Sequence, residues 1–162
     1  MGSMKVWDGT AWQTVSAQGP AGADGSGGGG GGELVYTQIT SPVQVTGTSA
    51  ATATTVIAGA AFAYDGSPVI VEFFSPRCDN PATSGATLTL ALKDGATSVG
   101  WLAVLGGTAT LAAPVQASRR ITPTAGSHTY SVVGWVTLDF GSVMAGNSTT
   151  SYSPAYLRIT RA

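Results

Sequence analysis

Between residues 34 and 162 apolar side chains recur at every second position, and a two-residue period is the signature of a strand with one buried face. Val69, Val71 and Phe73 alternate with Ile70, Glu72 and Phe74, and Leu88, Leu90 and Leu92 alternate with Thr87, Thr89 and Ala91. After the turn Lys93-Asp94-Gly95, the residues Val99, Trp101, Ala103 and Leu105 read as one face of a further strand. Tyr130, Val132, Gly134, Val136 and Leu138 alternate with Ser131, Val133, Trp135 and Thr137, and a last run over 155–160 puts Leu157 and Ile159 on one side. Turn-forming clusters punctuate these runs: Asp65-Gly66-Ser67-Pro68, Asn80-Pro81, Gly106-Gly107, residues 123–126 and Gly146-Asn147. No window shows the spacing of an amphipathic helix. The pattern predicts an all-β domain over 34–162, an antiparallel jelly-roll-like sandwich of about 8–10 strands.

Two further segments precede it. Residues 1–18 contain Lys5-Val6-Trp7-Asp8-Gly9-Thr10-Ala11-Trp12-Gln13-Thr14-Val15, two short alternations around Asp8-Gly9. Both turn residues tolerate positive φ, so the segment reads as a β-hairpin. A lone hairpin is only marginally stable in water. Trp7 and Trp12 are therefore expected to pack against another molecule, as anchoring residues. Residues 19–33 read Gly-Pro-Ala, Gly-Ala-Asp, Gly-Ser-Gly and then unbroken glycine, and 9 of the 23 glycines fall there. The first triplets have the Gly-X-Y period of a collagen-like helix, but they are too few to hold three chains together. The segment is expected to act as a flexible linker, or as a short stem ordered only between trimeric domains.

Charge narrows the function classes. Charged residues make up 9% of the chain, against about 25% in an ordinary soluble domain. Seven Lys+Arg and eight Asp+Glu give a net charge of -1 and a pI near 5.6, which offers phosphate no electrostatic footprint, so no nucleic-acid partner is expected. No apolar stretch approaches the roughly 18 residues of a spanning helix, so no membrane partner is expected. A hydrophobic fraction of 43% with little net charge opposes disorder of the whole chain. The N-terminus lacks the layout of a secretory signal peptide.

Catalytic signals are thin. Cys78, the one cysteine, cannot close an intramolecular disulfide, and no Cys/His cluster has metal-ligand spacing. Cys78 reads as an inert thiol at a strand end. His128 could pair with Ser127 or Ser131, but strand geometry points such neighbours apart and no Gly-x-Ser-x-Gly elbow is present. A structural role in the turn is the better reading. Glu72 and Asp139 could face each other as an acid/base pair, but Glu72, alone in an apolar strand, is expected to pair with an arginine: Arg77, Arg119 or Arg120. Arg119-Arg120 itself reads as a strand edge or an inter-subunit ion pair. The glycine run lacks the Gly-Lys-Ser/Thr ending of a phosphate loop. The chain is accordingly expected to be no enzyme, with no catalytic residue, cofactor or metal.

Several strands are apolar on both faces, whereas a free sandwich keeps its outer faces polar. Outer surface is thus expected to be buried between copies, with Val133, Trp135, Tyr156 and Arg158 at the oligomer interface. Scarce charge lowers the desolvation cost of such burial. Trp101, Trp135, Tyr130 and Tyr156 could instead stack sugars, although their positions inside strands favour core or interface packing.

The opening Met4-Lys5-Val6-Trp7-Asp8-Gly9-Thr10-Ala11-Trp12 ahead of Gly19-Pro20-Ala21-Gly22-Ala23-Asp24-Gly25 resembles minor tail proteins of phages of actinobacteria. The likeness extends to Pro68-Val69-Ile70-Val71-Glu72-Phe73-Phe74-Ser75-Pro76, to Arg119-Arg120-Ile121-Thr122-Pro123-Thr124-Ala125-Gly126-Ser127-His128-Thr129-Tyr130 and to Pro154-Ala155-Tyr156-Leu157-Arg158-Ile159-Thr160. Collagen-like stems leading into trimeric jelly rolls also occur among complement-like and tumour-necrosis-factor-like domains. The resemblance implies a virion component made in the host cytoplasm, placed on the tail rather than the capsid. It further implies a homotrimeric head for host-surface contact, with other virion proteins as partners. A carbohydrate-binding module reading a host cell-surface glycan and a capsid decoration protein are the alternatives. The stem here is vestigial, which departs from a long rigid shaft.

Overall fold

The computed structural model describes residues 4–7, 12–15, 32–107, 111–146 and 152–162, and no helix occurs among them. The chain divides into two compact units, Met1–Gly30 and Gly31–Ala162. In the first, strands β1 (Met4–Trp7) and β2 (Trp12–Val15) pair antiparallel, with Trp7 and Trp12 as the Cα partners at one end of the ladder. The Asp8-Gly9 turn and all of the 19–33 segment except Gly32 and Glu33 lie outside the described residues.

The second unit is all-β. Its strands are β3 (Glu33–Ile39), β4 (Val43–Val45), β5 (Thr54–Ala58), β6 (Phe62–Asp65), β7 (Val69–Asp79), β8 (Thr87–Asp94), β9 (Thr97–Gly106), β10 (Ala112–Ile121), β11 (Ala125–His128), β12 (Tyr130–Val136), β13 (Gly141–Met144) and β14 (Ala155–Arg161). Among the described residues this makes twelve strands rather than eight to ten. The excess is in β4, β6, β11 and β13, which are too short to display a period. Residues 123–126, read above as a turn, run into β11, whose Ala125 pairs with Asp65 of β6.

Strand β7 organises the larger sheet. One edge pairs with β10, while the other is shared: β14 takes residues 69–74 and β13 takes 77–79. Strands β3 and β4 extend β14 and β13 outward. The β7–β10 ladder is interrupted where Ala113 pairs with Cys78 and Val115 with Ser75. Pro76 and Pro114 fall in that gap. Neither has an N–H to donate, so the bulge sits where the ladder loses nothing. The second sheet runs β5-β12-β8-β9, and every pairing in the unit is antiparallel.

The two sheets share one core. Val71 and Phe73 of β7 and Leu157 and Ile159 of β14 meet Leu88, Leu90 and Leu92 of β8 and Val132 and Val136 of β12, all fully buried. This is the sandwich that the alternation predicts.

Strand β9 departs from prediction. Leu90 pairs with Ala103 but Ala91 with Trp101, and Leu92 pairs with Gly100 but Lys93 with Ser98. Leu102 and Val99 are therefore extra residues in two bulges. A bulge shifts the side-chain phase by one, so Trp101 leaves the face it shares in sequence with Ala103 and Leu105 and points outward. Leu105 is buried, and Trp101 is 66% exposed.

Candidate functional site

Both outer faces of the sandwich carry aromatic side chains, in different arrangements. On the β7 sheet, register aligns Phe74 with Tyr156 and Tyr156 with Gln38, and in the next outward row Glu72 with Arg158 and Arg158 with Tyr36. Tyr156 stacks between two rings, Phe74 at 5.5 Å and Tyr36 at 5.8 Å, each inclined by 29°. Three strands thus contribute one ladder. Arg158 donates from Nη2 and Nε to Oε2 of Glu72 at 2.6 and 2.8 Å, and its guanidinium carbon lies 6.0 Å from the Tyr156 ring centre. The Glu72 carboxylate raises the guanidinium pKa further. Glu72 does pair with an arginine, but not with Arg77, Arg119 or Arg120. Its partner is set by the register of β14, the last strand.

The outer face of the β8 sheet carries Trp135 from β12 and Trp101 from β9, with β8 between them. Trp101 aligns with Ala91 and Val133, and Trp135 with Thr89 and Val104. The indoles approach to 6.2 Å at 71°, edge to face. Ala91 and Thr89 are small, which lets the two rings meet across β8. Arg119 of β10 lies over Gly100 of β9, which has φ 147°, and an added Cβ there would fall 2.2 Å from Nη1 of Arg119. Gly100 therefore admits both the bulged backbone and the guanidinium.

A third cluster surrounds His128. Its Nδ1 lies 2.5 Å from Oδ2 of Asp94, and its Nε2 faces the Thr124 carbonyl at 3.0 Å and the Thr124 hydroxyl at 3.2 Å. The Tyr130 ring lies parallel at 6.0 Å and Tyr64 meets the imidazole edge-on at 5.8 Å. The Asp94 hydrogen bond raises the His128 pKa against the opposing effect of burial. Burial, then the nearby Tyr130 and Asp94, pushes the Tyr64 hydroxyl well above its usual range. Neither Ser127 nor Ser131 is the partner that holds His128.

Two further carboxylates, Asp79 and Asp65, are held by arginines. Asp79 accepts from Nε of Arg77 at 2.6 Å, and Asp65 accepts from Arg161 at 3.0 Å and from the Ser67 amide at 2.9 Å. The Ser67 amide, followed by Arg161, lowers the Asp65 pKa to about 2. Asp139 occupies a left-handed position at φ 60° after β12. Burial pushes the Cys78 thiol up to about 11. Among the described residues no three His, Cys, Asp or Glu side chains gather where they could hold a metal.

The four residues expected at an oligomer interface fall on opposite sides. Tyr156 and Arg158 face out from the β7 sheet, while Trp135 faces out from the β8 sheet. Val133 shares that second face but is only 4% exposed, so the protomer already covers it. Sequence reasoning did not single out Tyr36, Phe74 or Asp94. Phe74 was visible as a position opposite the Phe73 face of its strand, whereas Tyr36 lies in a strand that the alternation did not mark, and the alignment of the two with Tyr156 depends on long-range register. No protein-family model matches the chain, and no curated protein matches it.

Proposed function

We propose that the chain is a non-enzymatic structural protein of a tailed-phage virion, a minor tail protein that displays its β domain toward the host surface. The reading is carried by the division into a small hairpin unit, Met1–Gly30, and a larger β unit, Gly31–Ala162, with the glycine-rich run at their junction. A lone two-stranded hairpin is only marginally stable in water, so this one is suited to be completed by another virion protein, with Trp7 and Trp12 as anchors. The β unit, with its own core, is suited to display.

Self-association falls to the ladder of Phe74, Tyr156 and Tyr36 with its Arg158–Glu72 pair, since aromatics and arginine dominate interface energetics. In a ring, two different patches of each protomer meet. The ladder and the tryptophan face lie on opposite sides of the sandwich, so contact between those two would propagate an open stack. A closed trimer, the number that the resemblance implies, uses the ladder side and leaves the tryptophan face free. Deleting residues 1–18 tests the reading. The truncated protein is expected to remain a soluble β oligomer with the same number of protomers and to be missing from particles viewed by cryo-electron microscopy. Normal incorporation of the truncated chain would refute the anchoring role.

A further inference from the structure

We propose that the Trp101–Trp135 corner on the outer face of the β8 sheet is a binding site for the pyranose rings of a neutral glycan. The proposal rests on the display reading only for the face being turned toward the host. Its chemistry follows from the face itself.

The outward positions of β5, β12, β8 and β9 are Thr55, Ala58, Ser131, Val133, Trp135, Thr87, Thr89, Ala91, Lys93, Ser98, Trp101, Val104 and Gly106 by register. Lys93 is the one ionisable side chain among them, and its ammonium donates to the Ala50 carbonyl at 3.1 Å. An anionic ligand would find a single cation already engaged, and a cationic one would find no carboxylate. A neutral ligand brings no charge to desolvate here, and its hydroxyls need only hydrogen-bonding partners.

Size separates a sugar from a second protein. Trp101 is 66% exposed and Val104 52% exposed, while Trp135 is half-buried. An indole can bury up to ~250 Å², so Trp101 at 66% exposure leaves ~165 Å² free, and the exposed parts of Val104 and Trp135 bring the corner to roughly 250–300 Å². A stable protein interface buries about 800 Å² per partner, of which roughly 450 Å² is apolar. The corner is too small for a copy of this chain and suited to one or two sugar rings.

Its shape fits as well. The two indoles meet at 71°, giving a floor and a wall rather than a flat shelf. The ring face of an indole is electron-rich and accepts the C–H hydrogens of a pyranose. In the next outward row, Ser131 and Ser98 flank Lys93 and offer hydroxyls to the sugar's own. The bulge at Leu102 is what turns Trp101 onto this face, and bulges elsewhere re-aim functional side chains in the same way.

The test uses the full-length protein on an array of immobilised neutral cello-, xylo-, manno- and galacto-oligosaccharides, followed by isothermal titration calorimetry with the strongest binder. Saturable binding is expected, with affinity at least tenfold weaker in both Trp101→Ala and Trp135→Ala and unchanged in Phe140→Ala, an exposed apolar residue immediately before β13 of the other sheet. Trp101→Ala should keep the wild-type melting temperature and mass. No saturable binding, binding confined to charged glycans, or undiminished binding by Trp101→Ala would overturn the proposal. A changed mass in Trp101→Ala would also overturn it, by making the face a contact between copies. Particle incorporation is read separately, so failure here leaves the display reading standing.

Discussion

Asp94 and His128, 34 residues apart, meet at 2.5 Å and tie the β8–β9 turn to the end of β11. The second ring nitrogen of His128 faces the Thr124 carbonyl. A carboxylate and a carbonyl only accept, so the imidazolium alone can donate to both. The parallel Tyr130 ring favours the same charged form. Because the folded-state pKa is raised, this pair stabilises the fold fully below the unfolded value of about 6.5 and loses that contribution as pH rises through the folded value. Melting temperature should therefore be level on the acid side and decline from neutral into mildly alkaline pH. His128→Gln should flatten that decline. Thermal melts from pH 5 to 9 on both proteins check it, and an identical slope in the variant would refute it.

Arg158 and Glu72 have a different weight. Arg158 is 40% exposed in this pair, and exposed ion pairs contribute about 1 kcal/mol or less. Arg158→Ala should thus cost under ~1 kcal/mol in urea unfolding of the protomer. If the ladder is the self-association face, the same variant should lower the assembled mass by light scattering much more than it lowers stability. Arg158→Lys keeps the charge but not the planar fork, and should recover only part of the assembly.

Four strands were legible because each displays its period within itself: β7, β8, β12 and β14 alternate as their buried faces require. What was illegible depended on register between distant segments. Glu72 signals its need for a cation, but the choice of Arg158 is made 86 residues away. Trp101 sits in an unbroken alternation, and only the bulge opposite β8 reverses its face. Asp94 was readable as a turn former, but nothing local says that the turn ends beside His128.

Gly47 allows a sharper test of packing. A Cβ there would sit 2.2 Å from the Thr52 carbonyl oxygen and 2.9 Å from the Ala53 Cα, both backbone atoms with little freedom to yield. The Gly47 carbonyl also accepts from the Val136 amide at 2.8 Å, and its amide donates to the Thr54 hydroxyl at 3.2 Å. Moving the loop would therefore disturb the end of β12. Gly47→Ala should destabilise by about 2 kcal/mol, lowering the melting temperature by roughly 8 °C in a domain of this size. At Gly85, by contrast, an added Cβ meets nothing within 4 Å. Its φ of 78° still disfavours a side chain, so Gly85→Asn should be much milder than Gly47→Ala.

Cys78 reports on opening of the core. The thiol is fully buried on β7, and its pKa of about 11 leaves almost no thiolate at neutral pH. Both factors block attack by a disulfide reagent. In native buffer at pH 8 the protein should remain unmodified by 5,5'-dithiobis(2-nitrobenzoate) over an hour, and should release one equivalent of chromophore within a minute in 6 M guanidinium chloride. Between those limits the rate of modification should follow the fraction of open protein, because the thiol lies in the hydrophobic core and is reached only when the domain opens. Gly47→Ala, by weakening the same domain, should accelerate native-state modification. Rapid labelling of the wild-type protein in native buffer would show that β7 is exposed in solution and would contradict the core assigned to it.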